Sequence, residues 1–245
     1  MSVSGDTKSG ADNLISEFYS LILKSELFSR ISEESLPGLL SCLSSKVCKY
    51  KRAEYIAIEG EKFEGVGFVL SGEVSVIKES FRGSKTIMAN FKAGDIFGEI
   101  IAFSGTGLWP STVVAQSDCE IMFIRPEKML GFCDKICDFH RIVLENVTRI
   151  ISQKALILNR KVDYLTIKSM KAKLSKYLLE EYKRTGSSTF TLSLNREKLA
   201  EFLNVSRPSM SRELCKMRDD GIIEFYRETV KILDVEALEE YTEDG

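Results

Sequence analysis

A chain of 245 residues is long enough for two domains with cores of their own, and 44% apolar with 29% charged residues describes a soluble globular protein. No apolar run reaches membrane-spanning length and the Ser/Gly-rich opening is not a signal peptide, so a cytoplasmic protein with no membrane partner is expected. A net charge of −2 excludes gross polyanion binding unless the charge is unevenly placed, and six cysteines without a CxxC pair predict reduced thiols rather than a disulfide scaffold.

Residues 12–27 place Leu14, Ile15, Phe18, Leu21 and Ile22 on one helical face. Ser32-Glu33-Glu34-Ser35 starts a second helix whose buried side is Leu36, Leu39, Leu40 and Leu43. Both read as packing. From 46 to 124 the texture changes to short β-branched and aromatic runs at 55–58, 67–70, 73–77, 86–91 and 119–124, with Gly60, Gly72, Gly83 and Gly94 at the turns. Short strands so spaced predict an antiparallel barrel or jelly roll. Inside it lies Gly94-Asp95-Ile96-Phe97-Gly98-Glu99, followed by Trp109-Pro110-Ser111-Thr112.

Arg125 and Pro126 end the barrel. From His140 onward Val143, Leu144, Val147, Ile150, Ile151, Ile157, Leu158 and Val162 recur by threes and fours over a stretch without Gly or Pro. A two-stranded coiled coil fits that length, giving a dimer interface of Val143, Val147, Ile150, Ile151, Ile157 and Leu158. The seam is imperfect: one phasing puts Lys154 inside and another needs a stutter near Ile151. Tyr164-Leu165-Thr166 is the expected hinge. Residues 169–183 then form a helix with Met170, Leu174, Tyr177 and Leu178 inward, and Phe190-Thr191-Leu192 a short strand.

The chemistry is concentrated in residues 194–214. Asn195 caps a first helix with Leu199, Ala200, Phe202 and Leu203 on its apolar face. Asn204 sits where the chain must reverse, and Asn tolerates left-handed backbone. Ser206 caps a second helix, Pro208 falls in its first turn, and Met210, Leu214 and Met217 face inward. Outward point Arg207, Ser211, Arg212 and Lys216, a face read as free of acid. This is a helix-turn-helix whose second helix suits a DNA major groove, where Arg can make paired hydrogen bonds to guanine and Ser and Lys reach phosphates or base edges. Gly221 ends that helix, and 222–226 with 230–233 read as a two-stranded wing. Residues 168–232 hold 14 Lys and Arg against 9 Asp and Glu, whereas 233–245 hold six acids and no base. Positive charge therefore gathers on the hairpin, as phosphate contact requires, and the acidic tail reads as a solvated end.

A barrel with Gly-Asp-x-x-Gly-Glu, a long helix and a winged helix-turn-helix together resemble the family of the cyclic AMP receptor protein and the fumarate-nitrate reductase regulator, over nearly the whole chain. Residues 94–99 and 205–212 carry the resemblance best. It implies an α+β protein with an N-terminal cyclic-nucleotide-binding-like β-barrel (jelly roll), a long dimerisation helix and a C-terminal winged helix-turn-helix. The expected domains are a sensor at 1–125, the long helix and hinge at 126–164, and the DNA-binding domain at 165–245. A homodimeric transcription regulator is implied, with double-stranded DNA and RNA polymerase as partners and an effector in the barrel. The DNA-contact set is then Ser206, Arg207, Ser209, Ser211, Arg212 and Lys216, with Arg196 matching a phosphate-contacting family position. Known members read a cytosine with a Glu after the first Arg; Pro208 stands there, so their DNA preference does not transfer.

The resemblance places the effector pocket at Gly98, Glu99, Trp109, Pro110, Ser111 and Thr112, with Leu158 from the long helix. Family members that bind cyclic nucleotides hold the ribose with a Gly-Glu pair, matched by Gly98 and Glu99, and the phosphate with an Arg-Ser pair. Trp109 and Pro110 occupy the latter positions. Neither neutralises a phosphate, so cyclic nucleotides are not the expected effector. Trp109, Phe103 and Leu108 give the pocket an apolar character, suited either to an organic effector or to filling by protein itself. The cofactor is unknown. Haem or thiol sensing through Cys133, Cys137 and His140 is one alternative, set against the plainer reading of these cysteines as small apolar core groups. A cyclic-nucleotide-binding regulatory subunit of an enzyme is the other. One histidine and no nucleophile–base pairing predict no catalytic activity.

Overall fold

The structure is a computed structural model, and it describes residues 15–80, 85–130 and 138–243. Cys133, Cys137 and the turn at Gly83 lie outside the described residues, so the Cys133–Cys137–His140 trio is not placed.

Ile15 and Ser16 are helical, a turn at Glu17 and Phe18 interrupts them, and helix α1 (Tyr19–Lys24) follows; α2 (Leu36–Leu43) buries all four of its leucines. Strands β1 (Lys46–Tyr50), β2 (Tyr55–Ala57), β3 (Val66–Ser71), β4 (Glu73–Glu79), β5 (Lys85–Lys92) and β6 (Ile96–Phe97) lead to helix α3 (Glu99–Ala102). Strands β7 (Thr112–Ala115) and β8 (Cys119–Ile124) complete two four-stranded antiparallel sheets, ordered β1-β8-β3-β6 and β2-β7-β4-β5. This is the expected jelly roll.

The inner strands are apolar on both faces, and each face has a separate destination. Val66, Phe68 and Leu70 of β3, with Met122 and Ile124 of β8, join the core under α1 and α2. Val69, Cys119 and Ile121 point the other way, into the barrel with Val74, Phe97, Trp109 and Val113. The period-2 alternation of a strand makes that division automatic. Gly67 is required by the crowding, since a Cβ there would lie 2.2 Å from Cζ of Phe97.

After the short α4 (Pro126–Met129), helix α5 (Asp138–Thr166) runs for 29 residues. Its first half corrects the expected dimer seam. Val143, Val147 and Ile150 are buried in the core they share with α1 and α2, with Ile151 packed at its margin. A pattern of threes and fours records that a helix face is covered, not which element covers it. Asn146 holds this packing in register: its amide Nδ2 donates to the carbonyls of Leu27 (2.9 Å) and Ser29 (2.8 Å), while Oδ1 accepts from Ser29 Oγ (3.1 Å). Arg30, in left-handed backbone, pairs with Glu145 at 2.8 Å beside it.

The chain divides between Gln153 and Lys154, within α5, so the long helix is shared between two units rather than standing between the expected boundaries at 125 and 164. The second unit continues with α6 (Met170–Thr185), β9 (Thr189–Thr191), α7 (Arg196–Phe202), α8 (Arg207–Asp219), β10 (Ile223–Tyr226), β11 (Thr229–Ile232) and α9 (Val235–Glu243). The sheet is ordered β10-β11-β9, all antiparallel. Two expectations change here. Tyr164 is no hinge residue: α5 is helical through it, and its side chain is fully buried with Tyr177, Leu199 and Leu203. Nor is the acidic tail a solvated end. Leu238 is fully buried, with Val235, Ala237 and Tyr241 packed at the same core, and Lys171 Nζ lies 3.5 Å from the centre of the Tyr241 ring.

Candidate DNA interface and sensor pocket

Both helices of the hairpin are capped as their sequences dictate. Asn195 Oδ1 accepts from the Lys198 amide at 2.9 Å, and Ser206 Oγ accepts from the Ser209 amide at 3.3 Å. Between them Asn204 takes φ +54, and the Val205 amide donates to the Ala200 carbonyl at 2.9 Å, closing the turn. Lys173, buried on α6, donates its Nζ to the Leu203 carbonyl at 3.0 Å. It places positive charge at the C-terminal end of α7, where carbonyls lack partners, and the sequence reading did not single it out.

Met210, Leu214 and Met217 seat α8 on that base. Arg207, Arg212, Lys216 and Ser206 are exposed, and Ser209 and Ser211 half-buried, so the expected contact set lies on one accessible helix. The guanidinium of Arg212 donates to Ser209 Oγ at 3.2 Å, and Ser206 Oγ donates to the same oxygen at 2.8 Å. One guanidinium is thus held in place before any ligand arrives. Glu213 qualifies the reading of an acid-free face, since it stands 3.7 Å from Lys216 Nζ.

Arg196 is placed differently from its expected phosphate-contacting role. It is half-buried, with Cζ 5.0 Å from the centre of the Phe225 ring and Nη2 donating to the Arg227 carbonyl at 3.2 Å. Burial lowers its pKa from the ordinary arginine value. Arg218 Cζ lies 5.6 Å from the centre of the same Phe225 ring, so this wing residue has two guanidinium groups against it. The wing tip was missed from sequence: Tyr226 is 74% exposed, and Arg227, at φ +53, sets its guanidinium 5.5 Å from the Tyr226 ring.

In the barrel, Gly98 has φ +81, and a Cβ there would stand 3.0 Å from both Phe63 Cε2 and Trp109 Cη2. Glycine is needed for the backbone and for the approach of the rings. Glu99 is buried at the start of α3. Trp109 is only 6% exposed; its ring centre is 4.9 Å from that of Phe63 and 6.2 Å from that of Phe97. Its backbone is bonded across to residues 60 and 61, donating to the Glu61 carbonyl (2.9 Å) and accepting from the Gly60 amide (2.8 Å). Pro110 is exposed, Ser111 turns its hydroxyl onto the Pro110 carbonyl at 2.8 Å, and Thr112 Oγ1 accepts from the Glu59 amide at 3.1 Å. Phe103 and Leu108 lie on the surface. Leu158, expected beside this pocket, belongs to the second unit and is 61% exposed.

His140 is buried, and among the described residues no three His, Cys, Asp or Glu side chains are grouped to hold a metal. The family comparisons agree with both halves of this description. Residues 47–135 match the cyclic nucleotide-binding domain and residues 172–241 the Crp-like helix-turn-helix domain. The chain belongs to the cyclic AMP receptor protein and fumarate-nitrate reductase regulator family. Within the family it is similar to the cAMP-activated global transcriptional regulator of Pasteurella multocida, with 22% identity over 188 residues, covering 75% of this chain and 88% of that one. It is also similar to the cyclic AMP receptor protein of Thermus thermophilus, at 21% over 216 residues, covering 88% and 96%. The crystal structure of the Thermus thermophilus catabolite activator protein superimposes with a TM-score of 0.51 at 22% identity, covering 90% of this chain and 99% of that one, and bears out the fold. The chain is a transcription regulator of this family, with a DNA-binding helix-turn-helix and a sensor domain of the cyclic-nucleotide-binding type.

Proposed function

We propose that the protein is a cytoplasmic homodimer that binds specific DNA sequences through α8 and is controlled by something other than a cyclic nucleotide. One observation carries the second half: the Trp109 indole packs over Gly98 between Phe63 and Phe97, at the position where family members that bind cyclic nucleotides carry their phosphate-holding Arg. An indole offers a phosphodiester no positive charge, and burying that anion without a cation is strongly unfavourable. Gly98 and Glu99 keep the family pattern, so the pocket retains its frame while the phosphate-holding chemistry is gone. An organic effector without a phosphate is the class that fits this lining.

The dimer rests on the second half of α5. Leu158, Val162 and Leu165 follow one another at spacings of four and three, and each leaves half or more of its surface exposed. A seam of that kind is what a partner helix covers in a coiled coil. Two copies of α8 then meet two half-sites on one face of the duplex, with Arg207 and Arg212 set for base and phosphate contact and RNA polymerase as the partner in transcription. No helix of the described residues is long and apolar enough to cross a membrane, in keeping with a cytoplasmic site of action.

Calorimetry of the full-length protein with cyclic AMP and cyclic GMP tests the effector reading. No heat of binding is expected, and micromolar affinity for either nucleotide would overturn it.

A further inference from the structure

The last turns of α5 carry two working faces. At about 100° per residue, Leu158, Val162 and Leu165 lie roughly 140–200° around the helix from Arg160, whereas Tyr164 lies only about 40° from it. One face is the exposed seam. The other is fastened to the hairpin.

The fastening is built from three helices. Arg160 Nε donates to Glu180 Oε2 on α6 at 2.8 Å, and the Tyr164 hydroxyl donates to the same oxygen at 2.8 Å. Arg160 Cζ lies 5.1 Å from the ring centre of Phe202 on α7, and 5.8 Å and 6.0 Å from those of Tyr177 and Tyr164. Phe202 meets Tyr164 edge-on at 5.1 Å. Tyr177 in turn shares a 3.0 Å hydrogen bond with Ser193, which enters the hairpin. Burial works against the Arg160 charge, but the Glu180 hydrogen bond and attraction outweigh it and hold its pKa above the usual arginine value.

We propose that Arg160, through Glu180 and Phe202, is a positioning residue that makes the dimer seam and the DNA-reading hairpin one rigid body, so that dimerisation itself fixes the spacing of the half-sites. The inference rests on the dimeric DNA-binding reading above. A planar guanidinium that pairs with a carboxylate and stacks on aromatic rings resists rotation, which a lysine at the same point would not. Because α5 enters this cluster at Arg160 and Tyr164, one helical turn apart, it is held against tilting as well as sliding. A flexible joint at 164–166 would let each hairpin follow its own half-site. A rigid one does not.

Inserting one base pair between half-sites turns one of them by about 35° and shifts it by about 3.4 Å, a change that only a compliant dimer can follow. The test uses the full-length protein and a two-half-site duplex that the wild type selects from a random library, with one base pair then inserted or deleted. The wild type is expected to lose roughly tenfold in affinity, comparable to losing one good base contact. Arg160→Gln and Glu180→Gln, checked as folded dimers, are expected to lose only about twofold on the altered spacings while keeping their affinity for a single half-site. Arg160→Lys, which keeps the charge without the planar fork, should behave like Arg160→Gln. Tyr164→Phe removes a single hydroxyl and guards against a folding failure in the others; a loss between the wild-type and Gln values is expected. Folded, dimeric variants that keep the wild-type spacing preference overturn the joint alone. A purely structural ion pair would weaken every spacing equally, and that result overturns it too. A monomeric wild type, or one that selects no duplex, overturns the dimer reading and the joint together.

Discussion

The two halves of α5 have similar apolar patterns and opposite fates. In residues 138–153 Val143, Val147 and Ile150 are buried beneath α1 and α2, and Asn146 bonds the chain at Leu27 and Ser29. In residues 154–166 Leu158, Val162 and Leu165 are exposed along one face, while Tyr164 on another face is buried with the hairpin. One continuous helix therefore serves as a core element at its start and as a scaffold for assembly at its end. Periodicity measures the width of an apolar stripe, and the covering element comes from elsewhere in the chain.

Substitutions should separate the halves sharply. Val147→Asp puts a charge into a closed core and should destabilise the protein by about 4 kcal/mol or more in a urea titration. Leu158→Asp should leave unfolding within about 0.5 kcal/mol per protomer of the wild type, compared at protein concentrations low enough that both are monomeric. Its effect should fall on assembly, raising the dimer dissociation constant roughly a hundredfold or more by sedimentation, as two leucines lose their cover. If both act on unfolding alone, the second half is not a seam.

Asn146→Leu should cost about 2–4 kcal/mol, since one buried and one part-buried carbonyl lose their donor, again without touching the dimer constant. On the DNA side, Arg207→Ala should weaken a selected duplex by about 1–3 kcal/mol and relax its specificity in anisotropy titrations. A phosphate contact by Arg196, as the family position implies, would make Arg196→Ala weaken all sequences alike. With Arg196 packed on Phe225 and bonded to the Arg227 carbonyl, its loss should instead loosen the wing, and Arg227→Ala should give the larger change in salt dependence. Smallest of these, Ser206→Ala should lower stability by about 1 kcal/mol through the lost cap on α8.

What could be read from the sequence was local. The caps Asn195 and Ser206, the left-handed Asn204 and the inward Met210, Leu214 and Met217 each follow from residues within a few positions, and all stand where expected. The strands of the barrel were legible for the same reason. Trp109 was readable as unable to hold a phosphate, but its packing over Gly98 depends on Phe63, far away in sequence. Arg196 matched a motif position, yet the Phe225 beneath it arrives with a wing some thirty residues later. The tail was judged on its six acids, which hid the amphipathic spacing of Val235, Leu238 and Tyr241. In each case a nonlocal partner decided the outcome.

The most direct test is an anisotropy titration of a selected palindromic duplex with the full-length protein, with stoichiometry, repeated with saturating cyclic AMP. Two protomers per duplex and an unchanged affinity are predicted. One protomer per duplex, or binding that begins only when the nucleotide is added, would contradict the account.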